Sequence, residues 1–364
     1  MKDKNIPKYL QLKNEILSWI KSGKLKPDEK IPTEYEIATQ FQLSRHTVRQ
    51  ALGELEHEGW LYKIQGSGTF VSKPKSIGKQ ETTKTVAILT TYISDYIFPH
   101  IVRGAEEALY EKGYRLLLAS TGNNKDKERE HLEAMIQQPL SGLIIEPTKS
   151  AQGNPNLNYY LVLNNLHIPY VMINERYLEM NCPYIKMDDA RGGYLLTDHL
   201  IQLGHRRIAG FFKTDDLQGV NRLKGFIQAH QEHGMPLTTG HLISYMTEER
   251  DTKPLEAARL FLQQPKEARP TAFVCYNDEL AVKLLDVIRQ QGLSVPNDIS
   301  IVGFDDSTFA TATEVKLTTI RHPKVDMGVR AAEMLVKMIE KQHEEIEDVV
   351  YQPELIIRDS TKRV

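Results

Sequence analysis

The chain is 364 residues long, 40% hydrophobic and 26% charged, with a formal net charge of −2, which is an ordinary composition for two or three globular domains. Its two cysteines, Cys182 and Cys275, lie far apart in apolar surroundings, which excludes a disulfide scaffold and suits buried thiols in a reducing compartment. The opening MKDKNIPKYLQLKNEI lacks a signal-peptide core, and no run approaches the roughly 18 apolar residues that span a bilayer, so a cytoplasmic protein is expected.

Charge is uneven along the chain. Residues 1–75 hold 13 Lys/Arg against 9 Asp/Glu, leaving a basic head on an acidic body. That asymmetry suits an anionic partner at the head alone. From Pro7 to Ser22, Tyr9, Leu12, Ile16, Trp19 and Ile20 step by three or four, which predicts an amphipathic helix ended by Gly23. IPTEYEIATQF predicts a second helix, opened by a Thr33/Glu36 capping box and burying Ile37 and Phe41. Ser44 then caps a third, in which Val48, Leu52 and Leu55 form the apolar stripe. Opposite them fall His46, Arg49 and Gln50, with Arg45 on the flank near the helix N-terminus. This is a helix-turn-helix whose last helix presents donors: Arg pairs with guanine, Gln with adenine, and a helix N-terminus favours phosphate. An ordinary solvated face is the alternative for that stretch alone. Trp60–Ile64, the turn Gln65-Gly-Ser-Gly68 and Thr69–Val71 predict a β-hairpin wing; because a strand follows the glycines, they are not a dinucleotide fingerprint.

The ordered words PKYLQLKNEI, KIPTEYEIATQF, SRHTVRQALGELEHEGW and QGSGTFV resemble the winged helix-turn-helix domain of the GntR family of bacterial repressors. The chain departs from that pattern at Pro27-Asp28, where the family usually has a Gly in the turn, and at Thr33, where Ser is common. The resemblance implies that Arg45, His46, Thr47 and Arg49 contact bases and phosphates, that Lys8 contacts phosphate, and that Gln65 and Gly66 enter the minor groove. Glu34 has two readings, as an acceptor for cytosine or an orienter of an Arg, and as a simple complement to the helix dipole. For Lys8 the alternative is a solvated lysine.

Residues 73–84 are polar, with Pro and Gly and no period, and are expected to be a linker. Beyond it, apolar runs at 86–89, 114–118, 142–145 and 170–173 alternate with helical patterns near 98–112, 126–138 and 157–166. A second series has strands at 207–212, 242–244, 272–276 and 300–304, between helical patterns near 191–203, 219–233, 253–264 and 278–291. Two such series imply two parallel sheets with helices on both faces, and ligands bind beyond the carboxyl ends of such strands.

KMDDARGGYLLTDHLIQLGHRRIAGF, RLKGF, VCYNDELAVKLLDVIRQQGLSVPNDISIVGFDDS and LTTIRHP resemble the effector domain of LacI/GalR repressors. The fold class that follows is a small α+β winged helix-turn-helix domain over 1–72 and a large α/β two-lobe, periplasmic-binding-protein-like domain with two parallel sheets over 85–364. Residues 323–343 would be a helix returning to the first lobe, and Tyr351–Arg358 a last strand in the second. The resemblance implies effector contacts from Arg222, and the strand ends add Asn277 and Asp305; Glu146 faces the same cleft from the other lobe. Helix capping is the alternative at Asn277 and Asp278. Tyr92, Tyr96 and Phe98 follow the first strand, and one of them, with Tyr96 the choice, would stack on a sugar or lie in the core. Arg176 would contact ligand or tie the lobes by a salt bridge. Asp188-Asp189 reads as a turn and cap; no metal site and no cofactor are expected.

A GntR-type head on a LacI/GalR-type body resembles the arabinose-responsive repressors of Gram-positive bacteria. That resemblance implies a homodimer, double-stranded operator DNA as partner, and L-arabinose as the effector that releases it. The same architecture with another sugar or a nucleobase is the alternative. An enzyme is disfavoured by the lack of a P-loop, a nucleophile elbow or a metal-ligand motif, and a periplasmic receptor by the attached head.

Overall fold

The computed structural model describes residues 8–21, 23–57, 59–64, 68–72, 84–93, 96–340 and 346–364. The chain forms two units, Met1–Thr82 and Thr83–Val364. Their division falls within the stretch read as a linker, of which 73–83 lie outside the described residues.

In the first unit, α1 (Lys8–Lys21) buries Leu12 and Ile16, and Gly23 stops it at a φ of +77°. α2 (Glu34–Phe41) begins with the expected capping box: Thr33 Oγ1 accepts from the Glu36 N–H at 3.3 Å, and Glu36 Oε2 accepts from the Thr33 N–H at 2.7 Å. An eight-residue helix is too short to hold without such caps and tertiary packing. Gln42 turns the chain in the left-handed conformation, and α3 (Arg45–His57) starts where Ser44 Oγ accepts from the Thr47 N–H at 3.1 Å. Val48, Leu52 and Leu55 are buried, as their spacing predicts. β1 (Leu61–Ile64) and β2 (Gly68–Val71) pair antiparallel, Leu61 opposite Val71, and both close the head's core. The 28–31 segment runs beside β2, with Ile31 N–H donating to Thr69 O. Asp28 there has a φ of +62°, so the position where the resembled family usually has Gly is one whose backbone favours Gly; Asp tolerates it better than most residues.

The second unit has two lobes. β3 (Thr85–Thr90), α4 (Phe98–Glu111), β4 (Arg115–Ser120), α5 (Lys125–Ile136), β5 (Gly142–Ile145), α6 (Leu157–Asn165), β6 (Tyr170–Asn174) and β7 (Tyr184–Met187) build the first. The second follows as α7 (Asp189–Gln202), β8 (Ile208–Lys213), α8 (Leu217–Glu232), β9 (Leu242–Tyr245), α9 (Lys253–Leu262), β10 (Ala272–Cys275), α10 (Asp278–Gln290) and β11 (Ser300–Val302). The chain then makes α11 (Phe309–Ala312), β12 (Thr319–Arg321), α12 (Lys324–Ile339), β13 (Val349–Tyr351) and β14 (Glu354–Ile356).

The first lobe's sheet has the order β13-β7-β6-β5-β3-β4 and the second's β11-β10-β8-β9; every pairing in both is parallel. β5, β6, β8 and β10 are buried along their whole length, as strands covered on both faces must be. α12 returns to the first lobe and packs with α4 on one face of its sheet, and α5 and α6 cover the other. The expected last strand over Tyr351–Arg358 is corrected. Tyr351 ends β13, which joins the first lobe beside β7, and after Pro353 the chain makes β14, which pairs antiparallel with β12. A proline cannot donate to a ladder, so the run breaks there.

In each lobe two helices cross at reciprocal glycines. A Cβ on Gly193 of α7 would meet the Arg222 carbonyl oxygen at 2.2 Å, and one on Gly225 of α8 would meet the Ala190 oxygen at 1.9 Å. Gly104 of α4 and Gly328 of α12 face Val325 O and Ile101 O in the same manner, at 2.2 and 2.0 Å. Backbone touches backbone at both crossings, leaving no side chain to give way. Gly225→Ala should therefore cost about 1–3 kcal/mol, read as a lower midpoint in denaturant unfolding, and an unchanged midpoint would show that the crossing can widen freely.

Candidate functional site

On the head, the face of α3 opposite its buried stripe carries Arg45, His46 and Arg49, all exposed, and Lys8 is exposed at the start of α1. Thr47 is half-buried and its hydroxyl lies 2.8 Å from Ser44 Oγ, so it serves the cap. Arg49 reaches back to α2, where its Nη2 donates to Glu34 Oε2 at 3.0 Å; that bond holds the Glu34 carboxyl below its usual range. Glu34 thus pairs with Arg49 and, as an acidic residue in the first turn of α2, also complements that helix's dipole. Arg45 lies over the Tyr35 ring, 5.2 Å from its centre. Gln65 and Gly66, expected in the wing, lie outside the described residues.

In the second unit a cleft of about 370 Å³ opens between the lobes, where the carboxyl ends of both sheets meet. Tyr96, Glu146, Arg222, Asn277 and Asp305 all line it. Glu146, one residue beyond β5, is buried; its Oε2 accepts from the Thr91 N–H at 2.8 Å and its Oε1 from Asn174 Nδ2 at 2.7 Å. Burial pushes its carboxyl up, against those hydrogen bonds. Asn277 is the cap of α10, its Oδ1 accepting from the Leu280 N–H at 2.9 Å, while Asp278 turns inward to Thr319 and Ser307. Among the described residues the Asn277 Nδ2 has no partner, so one residue both caps the helix and offers a donor at the cleft.

Arg222 is only 3% exposed. Its Nε donates to Asp189 Oδ1 at 2.8 Å, Nη1 to the Tyr276 carbonyl at 2.7 Å and Nη2 to Asp305 Oδ1 at 3.3 Å, and the guanidinium lies 3.6 Å from the centre of the Phe304 ring. Burial alone would lower its pKa, but Asp305 and Asp189 outweigh that and hold it charged. The other oxygen of Asp305 accepts from the Tyr96 hydroxyl at 2.6 Å. That hydroxyl also accepts from the Asp278 N–H at 3.1 Å, so Tyr96 bridges the lobes. The lobes are also tied where Asn123 Nδ2 donates to Thr247 Oγ1 at 2.6 Å and Lys149 pairs with Glu248. Asp305 and Asp306 take left-handed φ values of +94° and +45°, strain that the surrounding bonds hold in place.

Arg176 is not brought into the cleft lining. It stacks over Tyr184 at 4.6 Å, and the tie to the second lobe is made instead by its neighbour Glu175, which accepts from Asn221 Nδ2 at 3.0 Å. Conversely, Lys213, Asp216 and Tyr276 line the cleft unforeseen: Asp216 Oδ2 accepts from Lys213 at 2.6 Å and from the Tyr276 hydroxyl at 3.0 Å. Burial opposes the charge on Lys213, and Asp216 and Asp215 hold it up. The rule that found Asn277 and Asp305 would have found Lys213 and Tyr276 too, because Lys213 ends β8 and Tyr276 directly follows β10. Asp188 caps α7 through the Arg191 N–H, and among the described residues no group of His, Cys, Asp and Glu could hold a metal ion.

Carboxylates, three amides, four cations (Lys213, Arg222, Arg250 and Lys283) and several aromatic side chains thus converge on one concave site. Arg222→Ala would leave Asp189 and Asp305 buried without their cation. It should cost about 3–5 kcal/mol, seen in denaturant unfolding, and an unshifted midpoint would show that the carboxylates are compensated elsewhere.

Comparison with known proteins agrees with both halves. Residues 8–71 match the model of bacterial regulatory proteins of the gntR family, and residues 197–361 that of a periplasmic binding protein-like domain. The chain is 77% identical to the arabinose metabolism transcriptional repressor of Geobacillus stearothermophilus, over 100% of both chains. It is 49% identical to that of Halalkalibacterium halodurans, over 97% of this chain and 96% of the other. Among solved structures, a LacI family transcriptional regulator from Enterococcus faecium with bound ribose superposes with a TM-score of 0.67 at 27% identity, covering 77% of this chain and 99% of that one. The chain belongs to the family of arabinose metabolism transcriptional repressors, DNA-binding regulators and not enzymes, in which a gntR-type head is joined to a periplasmic-binding-protein-like body.

Proposed function

We propose that this repressor acts as a cytoplasmic homodimer that holds operator DNA through α3 of each head and releases it when L-arabinose occupies the cleft between the lobes. The observation that supports the ligand half is the set of polar groups at that cleft: Glu146 from one lobe faces Arg222, Asn277 and Asp305 from the other. A pentose presents adjacent hydroxyls to planar carboxylates and amides and an apolar ring face to an aromatic such as Tyr96. A ligand gripped by both lobes favours their closed arrangement by its differential affinity for it. In a dimer, that closure changes the separation of the heads, and two half-sites tolerate only spacings near a DNA turn.

On the DNA, Arg45, His46 and Arg49 would reach base edges and phosphates, and Lys8 phosphate alone. Replacing Arg45 or Arg49 by Ala should then cost about 1–3 kcal/mol of discrimination at one base pair, whereas Lys8→Ala should weaken all duplexes alike and reduce the salt slope by about 1. Binding to single-base operator variants at several salt concentrations separates the two.

The decisive experiment is retention of the organism's own upstream DNA fragments by the purified protein at fixed salt, with and without L-arabinose, D-ribose, D-xylose or hypoxanthine. Specific retention abolished by L-arabinose alone is the expected result. Release by a different compound would replace the ligand, and retention that no compound abolishes would remove induction through the cleft.

A further inference from the structure

Tyr35 sits in the first turn of α2 and is 63% exposed, although the buried side of that helix is carried by Ile37 with Ala38 and Phe41. Its neighbour across the turn is Arg45, the first residue of α3, whose guanidinium lies 5.2 Å from the ring centre, within the range of a cation–π contact. Among the described residues Arg45 makes no hydrogen bond or ion pair. The adjacent residue of α2, Glu34, holds the other arginine of the recognition helix, Arg49, one turn further along.

We propose that Tyr35 is a positioning residue that holds the Arg45 guanidinium on its ring and so pre-arranges it for DNA. This rests on the reading that α3 contacts DNA. The two arginines are held by different chemistry with different consequences. Glu34 engages the Nε and Nη2 of Arg49 and spends donors on orientation. A ring face spends none, so Arg45 keeps all five N–H groups for a guanine edge or a phosphate while losing some of its freedom before binding. Consecutive residues of α2 therefore set both arginines of α3, and Arg45 is the one left with its full donor set.

The test is a double-mutant cycle on the full chain, with Tyr35→Leu, Tyr35→Phe, Arg45→Ala and Tyr35→Leu/Arg45→Ala. The probes are a duplex that the intact protein selects from a random-sequence pool and a scrambled duplex of equal length, titrated at several salt concentrations. Tyr35→Leu is expected to weaken the selected duplex about two- to fivefold, the size of an exposed cation–π contact. Tyr35→Phe should bind as the intact protein does, the salt slope should not change, and Tyr35→Leu should have no further effect once Arg45 is Ala. Loss on Tyr35→Phe equal to that on Tyr35→Leu would overturn the proposal, since the hydroxyl would then be touching DNA directly. Additive effects of the two substitutions would overturn it as well. If Arg45→Ala binds the selected duplex as tightly as the intact protein, the proposal and the assignment of Arg45 to DNA both fall. If Arg45→Ala weakens binding while Tyr35→Leu does not, only the proposal falls.

Discussion

The buried guanidinium of Arg222 is the charge around which the second lobe's cleft-facing end is arranged. A cation removed from water in this way is tolerable only with carboxylates and carbonyls in direct contact. Meeting that demand draws together the start of α7 through Asp189, the end of β10 through the Tyr276 carbonyl, and the loop after β11 through Asp305. Burial pushes the carboxyls of Asp189 and Asp278 up to about 7, opposed at Asp189 by the Arg222 cation and at Asp278 by hydrogen bonds from Thr319 and Ser307. Asp305 is shared, with one oxygen on Arg222 and the other on Tyr96 from the opposite lobe. The electrostatics of the second lobe are thereby linked to the relative position of the two.

The helix crossings supply the rigidity that such a site requires. Arg222 lies at the Gly193/Gly225 crossing, where α7 and α8 approach until backbone meets backbone, so its Cα has little room to shift. The first lobe repeats the device at Gly104 and Gly328, and α12 thereby anchors the returning chain against α4. The two lobes are joined by crossing segments and tied by hydrogen bonds between Tyr96 and Asp305 and between Asn123 and Thr247.

The head solves a smaller problem by local means. Its helices of 14, 8 and 13 residues bury a modest core, and the capping box at Thr33 and the cap at Ser44 align the two short ones. The same first turn of α2 that closes the capping box also supplies Glu34 and Tyr35 to the arginines of α3. Stability and display are thus carried by neighbouring residues with separate tasks, and a substitution at Tyr35 or Glu34 alters the exposed face without entering the core.

Much of this was legible in the chain alone. The caps, the apolar stripe of α3, the wing strands, the two βα series and the strand-end positions of Glu146, Asn277 and Asp305 all follow from periodicity and from pairs within four residues of one another, which the local backbone enforces. Tertiary structure alone decided the rest. β7, β12, β13 and β14 are strands of three or four residues, too short to show a period, and their sheet depends on partners far away in sequence. Lys213 and Tyr276 were within reach of the strand-end rule, and only their meeting at Asp216 needed β8 and β10 to pair side by side. Arg176 leaves the cleft for Tyr184, and Arg222 turns out to be paired with Asp189 and Asp305, because ion pairing follows distance in space and a sequence shows only distance along the chain.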